Sequence, residues 1–205
     1  MSGIKTIIFD FGDVFINLDK EGAMKNVLDL FELKTFPDEM IAFNSLYEQG
    51  LISTDEFLEF HLENFPKLSR EEILDAWHFI LKDFPIHRFK FIQQLASEKK
   101  FKLILLSNTN ELHINWIKEN IPFYEDFKNS FDAFYLSQEV KLRKPNADIF
   151  RFVMDSHQHK AKETLFIDDT EENITAASKL GILTWHINPM DDDIVNLFSI
   201  QKELF

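Results

Sequence analysis

The chain has 205 residues, enough for one compact domain or a core with a modest insert. Its 45% hydrophobic and 28% charged content is that of an ordinary globular protein. A net charge of −13 argues against a surface built for nucleic-acid backbones, and the lack of cysteine excludes disulfides, zinc–thiolate sites, iron–sulfur clusters and thiol catalysis. No stretch approaches the roughly 18 apolar residues of a membrane span. The N-terminal Met-Ser-Gly-Ile-Lys lacks the basic-then-apolar pattern of a cleavable leader, so the expectation is a cytoplasmic protein with no membrane partner. Glycine narrows the field further. The five, at Gly3, Gly12, Gly22, Gly50 and Gly181, are too widely spaced for a dinucleotide-binding fingerprint or a P-loop.

The first element is Ile4 to Phe9, a short β-branched run that reads as a buried strand ending at Asp10. From Asp19 to Pro85 the chain turns charged and amphipathic, which predicts helices near 20–33, 38–49, 54–64 and 69–83. Ser53 followed three residues later by Glu56 is a capping box. Strand and helix then alternate: a helix near 86–99, the apolar run 103–106, a helix near 111–120, a strand at 131–136 and a helix near 146–158. Residues 164–167 follow as a strand, 171–180 as a helix closing at Gly181, and 182–186 as the last strand, with one more helix expected from Asp191. Such alternation predicts an α/β fold, a parallel sheet covered by helices on both faces. The helical stretch is then an insert after the first strand, dividing the chain into a core of 1–17 and 86–205 and a small all-helical unit of 18–85. Most of the 23 phenylalanines fall at apolar-periodic positions and read as core.

In open parallel sheets the ligand site lies beyond the C-terminal ends of the strands. There the sequence places Asp10-Phe11-Gly12-Asp13, Ser107-Asn108-Thr109-Asn110 and Asp168-Asp169-Thr170, with Arg143-Lys144-Pro145 ahead of a helix. Singly, each reads as a turn or a helix cap. Together they crowd carboxylates whose pKa values would rise unless a cation stood among them. Hard oxygen donors without nearby His or Cys suit Mg²⁺. A lysine and a serine beside that ion would cradle phosphate, and a free carboxylate facing phosphorus can act as a nucleophile.

These residues carry a resemblance. The chain is similar to the haloacid dehalogenase-like (HAD) hydrolase superfamily, in its subfamily with a helical cap inserted after the first strand. Four motifs match in order: Ile8 to Val14, Leu105 to Asn110, Arg143 to Pro145, and Phe166 to Thr170 with Asn173. The stretch Tyr47 to Ser53 resembles the branch of glucose-1-phosphate-type phosphatases and the phosphatase domain of soluble epoxide hydrolases. The resemblance implies a Rossmann-like core and a Mg²⁺-dependent phosphatase for a small phosphorylated metabolite, a sugar phosphate being one candidate. By the same resemblance, Asp10 would be the nucleophile that forms an aspartyl-phosphate. Ser107 and Asn108 would bind phosphoryl oxygens, and Lys144 would neutralise them and steady Asp10. Metal ligation would fall to Asp10, the Gly12 carbonyl and Asp169, with Asp168 acting through the second layer or a water. Asp13 and Asn173 would support the loops. A monomer or homodimer is expected.

Two positions depart from the family pattern. The family's acid–base Asp, two residues after the nucleophile, is here Gly12, and general acid–base help is typically worth about 10²–10⁴-fold. Lys141 stands where the family often has Gly and reads as a solvated charge. The missing acid keeps open two alternatives, a 2-haloacid dehalogenase-type hydrolase and a catalytically weak binding or regulatory member of the fold. Elsewhere, the i,i+2 spacing of His157 and His159 on a helix puts the rings on different faces and argues against a metal pair. His113 reads as a surface or capping residue, Trp77, Trp116 and Trp185 as core, and Asp191 to Asp193 as a helix start. Residues near Asn17 and on the first two inserted helices are the candidates for substrate contact.

Overall fold

A computed structural model describes residues 3–205. Among these residues five strands form one sheet: β1 (Thr6–Phe9), β2 (Lys102–Ser107), β3 (Ala133–Leu136), β4 (Thr164–Asp168) and β5 (Leu183–His186). Their order is β3-β2-β1-β4-β5, and every pairing is parallel. The apolar, β-branched strand sequences suit burial on both faces. Strand periodicity divides them. Ile7, Phe9, Leu103, Leu105, Leu165 and Ile167 join one core layer, whereas Ile8, Ile104, Leu106 and Phe166 join the other.

Between β1 and β2 lie α1 (Lys20–Leu30), α2 (Asp38–Glu48), α3 (Thr54–Asn64), α4 (Arg70–His78) and α5 (Ile86–Glu98). After β2 come α6 (Glu111–Asn120), α7 (Tyr124–Lys128) and α8 (Ser137–Val140). The chain closes with α9 (Ala147–His157), α10 (Glu171–Lys179) and the single turn α11 (Leu197–Ile200). One sheet face is covered by Phe89 and Ile92 of α5, Ile114 and Ile117 of α6 and Phe127 of α7. The other is covered by Ile149, Phe150 and Val153 of α9 and Ala177 of α10. Phenylalanines knit the first layer; Phe127 stacks on Phe11 at 5.2 Å and meets Phe15 edge-on at 5.0 Å.

Helices α1 to α4 keep a core of their own, built on Val27, Phe31, Met40, Phe57, Leu58 and Ile73, to which Leu112 of α6 contributes from below. The chain enters and leaves this helical cap through one antiparallel crossing. Asn17 N–H donates to Asp83 O, Lys82 N–H to Asn17 O and Asp19 N–H to Ile80 O. The crossing explains why the helix expected to run to residue 83 stops at His78. Similarly, α1 ends at Leu30 rather than near 33 because Glu32 adopts a left-handed conformation, φ 54°. Both capping residues Ser53 and Ser69 make reciprocal boxes with Glu56 and Glu72. Helices α7 and α8 are too short to show an apolar period, and the sequence reading passes over them. Past Asp191 the expected helix is only a 3₁₀ turn and α11.

The cap is pinned to the core at Gly50. Its φ is +61°, and a Cβ there would lie 2.1 Å from the carbonyl oxygen of Gln138 in α8. Gly50→Ala therefore combines backbone strain with a clash against main chain, an expected loss of about 2 kcal/mol or more. For a chain of this size that lowers Tm by roughly 4–8 °C. Thermal denaturation checks this.

Candidate active site

Parallel registry sets the site. Phe9 is level with Ile167, so the next residues, Asp10 and Asp168, leave the sheet side by side. Asp10 N–H continues the ladder to Ile167 O at 2.9 Å. Into this gap Lys144 enters from the loop after α8. Its ammonium donates to Asp10 Oδ1 and to Asp168 Oδ2, both at 2.6 Å, and its side chain is 1% exposed. Burial acts against that charge, but the Asp10 and Asp168 carboxylates outweigh it and hold the lysine pKa above its usual value.

Each member is held from behind. Asp168 Oδ1 accepts from Thr170 N–H at 2.8 Å, and both its oxygens accept from Asn173 Nδ2 at 3.1 and 3.0 Å. The Asn108 amide spans the Lys144 backbone, accepting from its N–H at 2.9 Å and donating to its carbonyl at 2.8 Å. Its oxygen and one of its two N–H groups hold the lysine's main chain, which leaves the second N–H free. Ser107 is buried and its hydroxyl makes one long bond, 3.3 Å, to Asn108 O. By contrast, Asp10 Oδ2 accepts no hydrogen bond from the described residues. Burial pushes the Asp10 carboxyl up to about 7, with Asp168 and Asp169 adding to the rise and Lys144 opposing it.

Oxygens of Asp10, Asp168 and Asp169 lie within 4.8 Å of one another. This is an all-carboxylate set, the donor chemistry of Mg²⁺, and its residues fit that ion. Asp169 is also pushed up, chiefly by burial. Lys20, the first residue of α1, reaches Asp169 Oδ2 at 2.5 Å and Asp13 Oδ2 at 2.9 Å, and these carboxylates hold its pKa up against burial. Nothing in the sequence marks Lys20, which sits on the cap. His186 is a further addition, its Nε2 meeting Asp169 O at 2.9 Å. It ends β5 at the same sheet edge, so the rule that found the other clusters could have reached it.

Gly12 stands in the loop after Asp10. A Cβ there would lie 2.6 Å from Leu18 Cδ1, so Leu18 fills the space a side chain would need. Asp13 does not move into that role. Its Oδ1 accepts from Leu18 N–H at 2.8 Å and its Oδ2 faces Lys20. Lys141 is exposed in a left-handed conformation, φ 60°, so a glycine preference at that position is a backbone matter. Asn17, expected near substrate, is instead tied into the crossing by Asp83 at 2.9 Å and Arg88 at 2.9 Å. The histidine pair departs from expectation too. The helix stops at His157, and left-handed Gln158 folds His159 back so that the rings stack at 5.2 Å. Arg143 crosses to the cap, meeting Glu48 of α2 at 2.8 Å.

Fold and site define a capped α/β protein with a buried Asp–Lys–Asp centre at the sheet's C-terminal rim. The chain belongs to the haloacid dehalogenase-like hydrolase family, whose profile matches residues 4–181. It is 31% identical over 191 residues to the D-ribitol-5-phosphate phosphatase of Bacteroides thetaiotaomicron, covering 89% of this chain and 91% of that protein. A glyceraldehyde 3-phosphate phosphatase of Methanocaldococcus jannaschii is 24% identical over 97% of this chain and 93% of its own. Among solved structures, a HAD family enzyme of Bacteroides thetaiotaomicron in complex with magnesium and inorganic phosphate superimposes with a TM-score of 0.81. That match has 34% identity and covers 96% of this chain and all of the other, 100%. No helix among the described residues is long and apolar enough to cross a membrane.

His113 ties the core to the cap, its Nε2 donating to Trp77 O at 3.0 Å. Burial pushes its pKa down from 6.5 to about 4. Between those values the unfolded chain carries a proton on His113 that the folded chain does not, so stability falls as pH drops through this window. His113→Gln should flatten that part of a Tm-versus-pH curve, measured from pH 7 to 4. An unchanged slope would show that the site is not the source.

Proposed function

We propose that the protein is a Mg²⁺-dependent phosphatase that hydrolyses a small phosphorylated metabolite through an aspartyl-phosphate on Asp10. The observation that carries this reading is the asymmetry of Asp10, a member of the carboxylate cluster: one oxygen is held by a buried lysine, the other has no partner among the described residues. The polyol and triose phosphates named for its relatives, and the magnesium–phosphate complex of a similar enzyme, support the same class.

Asp10 Oδ2 attacks phosphorus, and the bond from phosphorus to the ester oxygen breaks. Lys144 keeps the attacking carboxyl oriented and balances charge on the transferred group. Ser107, with only a long hydrogen bond to release, turns its hydroxyl to a phosphoryl oxygen. Asp10 and Asp169 would hold Mg²⁺ with the Gly12 carbonyl, while Asp168, whose oxygens are already bonded, orders Lys144. Held there, Mg²⁺ would supply positive charge beside the phosphate and offset the cost that burial places on the charged form of Asp10. Water then cleaves the acyl-phosphate and regenerates the carboxylate. With no carboxyl at position 12, esters whose leaving oxygen needs little protonation should react fastest.

Hydrolysis of p-nitrophenyl phosphate should vanish in EDTA and return with Mg²⁺. Asp10→Asn should lower kcat by at least about 10³-fold while far-UV circular dichroism stays native. Activity surviving in Asp10→Asn would remove Asp10 from the nucleophile's role.

A further inference from the structure

The cap encloses a cavity of about 760 Å³ between α1, α2 and α4, far more than a phosphate group fills. None of Asp10, Ser107, Lys144, Asp168 and Asp169 lines it, but it borders their rim. Lys20, which touches Asp169, lines it, as does Asn110, two residues beyond Asn108; Glu48 joins it to the Lys144 loop through Arg143. Its walls are mainly apolar, supplied by Met24, Val27, Phe36, Met40, Ile41 and Trp77.

Several polar groups in the wall are engaged by the protein itself, although among the described residues Asn44 Oδ1 is buried there without a partner. Lys20 is bound to Asp13 and Asp169, and Glu48 to Arg143. His113 bonds Trp77 O, His61 bonds Phe57 O, and Asn110 accepts from His113 N–H as the cap of α6. Burial pushes both histidines down, which leaves them uncharged near neutral pH. A polyol entering here would lose water from several hydroxyls and find Asn44 Oδ1 but few other free partners in a mainly apolar wall, an unfavourable exchange. An apolar group would lose none. Met24 and Ile41 line the cavity and are also 49% and 56% exposed, so they stand where it meets solvent.

We propose that the substrate is an amphipathic phosphate monoester, whose phosphate sits at Asp10 and whose apolar organic group fills the cavity under α1 and α2. This inference rests on the phosphatase reading and narrows its substrate class. Met24 and Ile41 then help to set specificity by contacting the apolar group at the cavity mouth.

The test compares kcat/KM for n-hexyl phosphate and ribitol 5-phosphate in the Mg²⁺-loaded protein. Both are primary alkyl esters with chemically similar leaving oxygens, so the comparison isolates the organic group. Acetyl phosphate, too small to reach the cavity walls, serves as the reference for the chemistry. The hexyl ester should be preferred by about tenfold or more, mostly through KM. Met24→Gln, and independently Ile41→Gln, should each reduce that ratio severalfold. Equal rates, a preference for ribitol 5-phosphate, or a ratio that neither variant moves would overturn the inference, provided acetyl phosphate is hydrolysed. Inactivity towards acetyl phosphate as well would instead overturn the phosphatase reading, and this inference with it.

Discussion

A buried ammonium between two carboxylates is the interaction on which the rest of this structure depends. Lys144 is held at 2.6 Å from both Asp10 and Asp168. Removing these charges from water costs several kcal/mol per ion, and a well-packed apolar set would serve stability at least as well. The arrangement therefore needs a framework that over-determines it. Registry of β1 with β4 sets the two aspartates side by side, Asn173 and Thr170 N–H hold Asp168, and Asn108 grips the lysine's backbone. The outcome is one Asp10 oxygen held by the lysine and the other without a partner among the described residues.

The cap completes this centre as well as covering it. Lys20 brings a positive charge from the start of α1 onto Asp169 and Asp13. Glu48 holds Arg143, the neighbour of Lys144, and Gly50 rests against α8. Movement of the cap would therefore be felt at the lysine loop and at Asp169 together. In capped enzymes such closure excludes water from reactive intermediates.

Much of this was legible in the sequence. The five strands announce themselves because buried parallel strands are nearly continuous apolar runs, and Asp10, Ser107 and Asp168 each stand where such a run stops. Short-range order misled at chain reversals. Left-handed Glu32 and Gln158 end helices without glycine, so α1 stops early and the two histidines meet instead of pointing apart. Lys20 could not be found by pattern, since an amphipathic cap helix carries many charges and only the tertiary fold selects which one meets the core. Asn17 itself spends its side chain on Asp83 and Arg88, and it is Lys20, three residues on, that reaches the rim.

The central claim is that Asp10 forms a covalent bond to phosphorus. The most direct measurement is acid quenching of the protein during turnover of an isotopically labelled phosphate ester, followed by peptide mass mapping. The account predicts a single phosphoryl group, labile to hydroxylamine, on the peptide that contains Asp10. Label found on another peptide, or steady turnover with no phosphorylated peptide at any quench time, would contradict it.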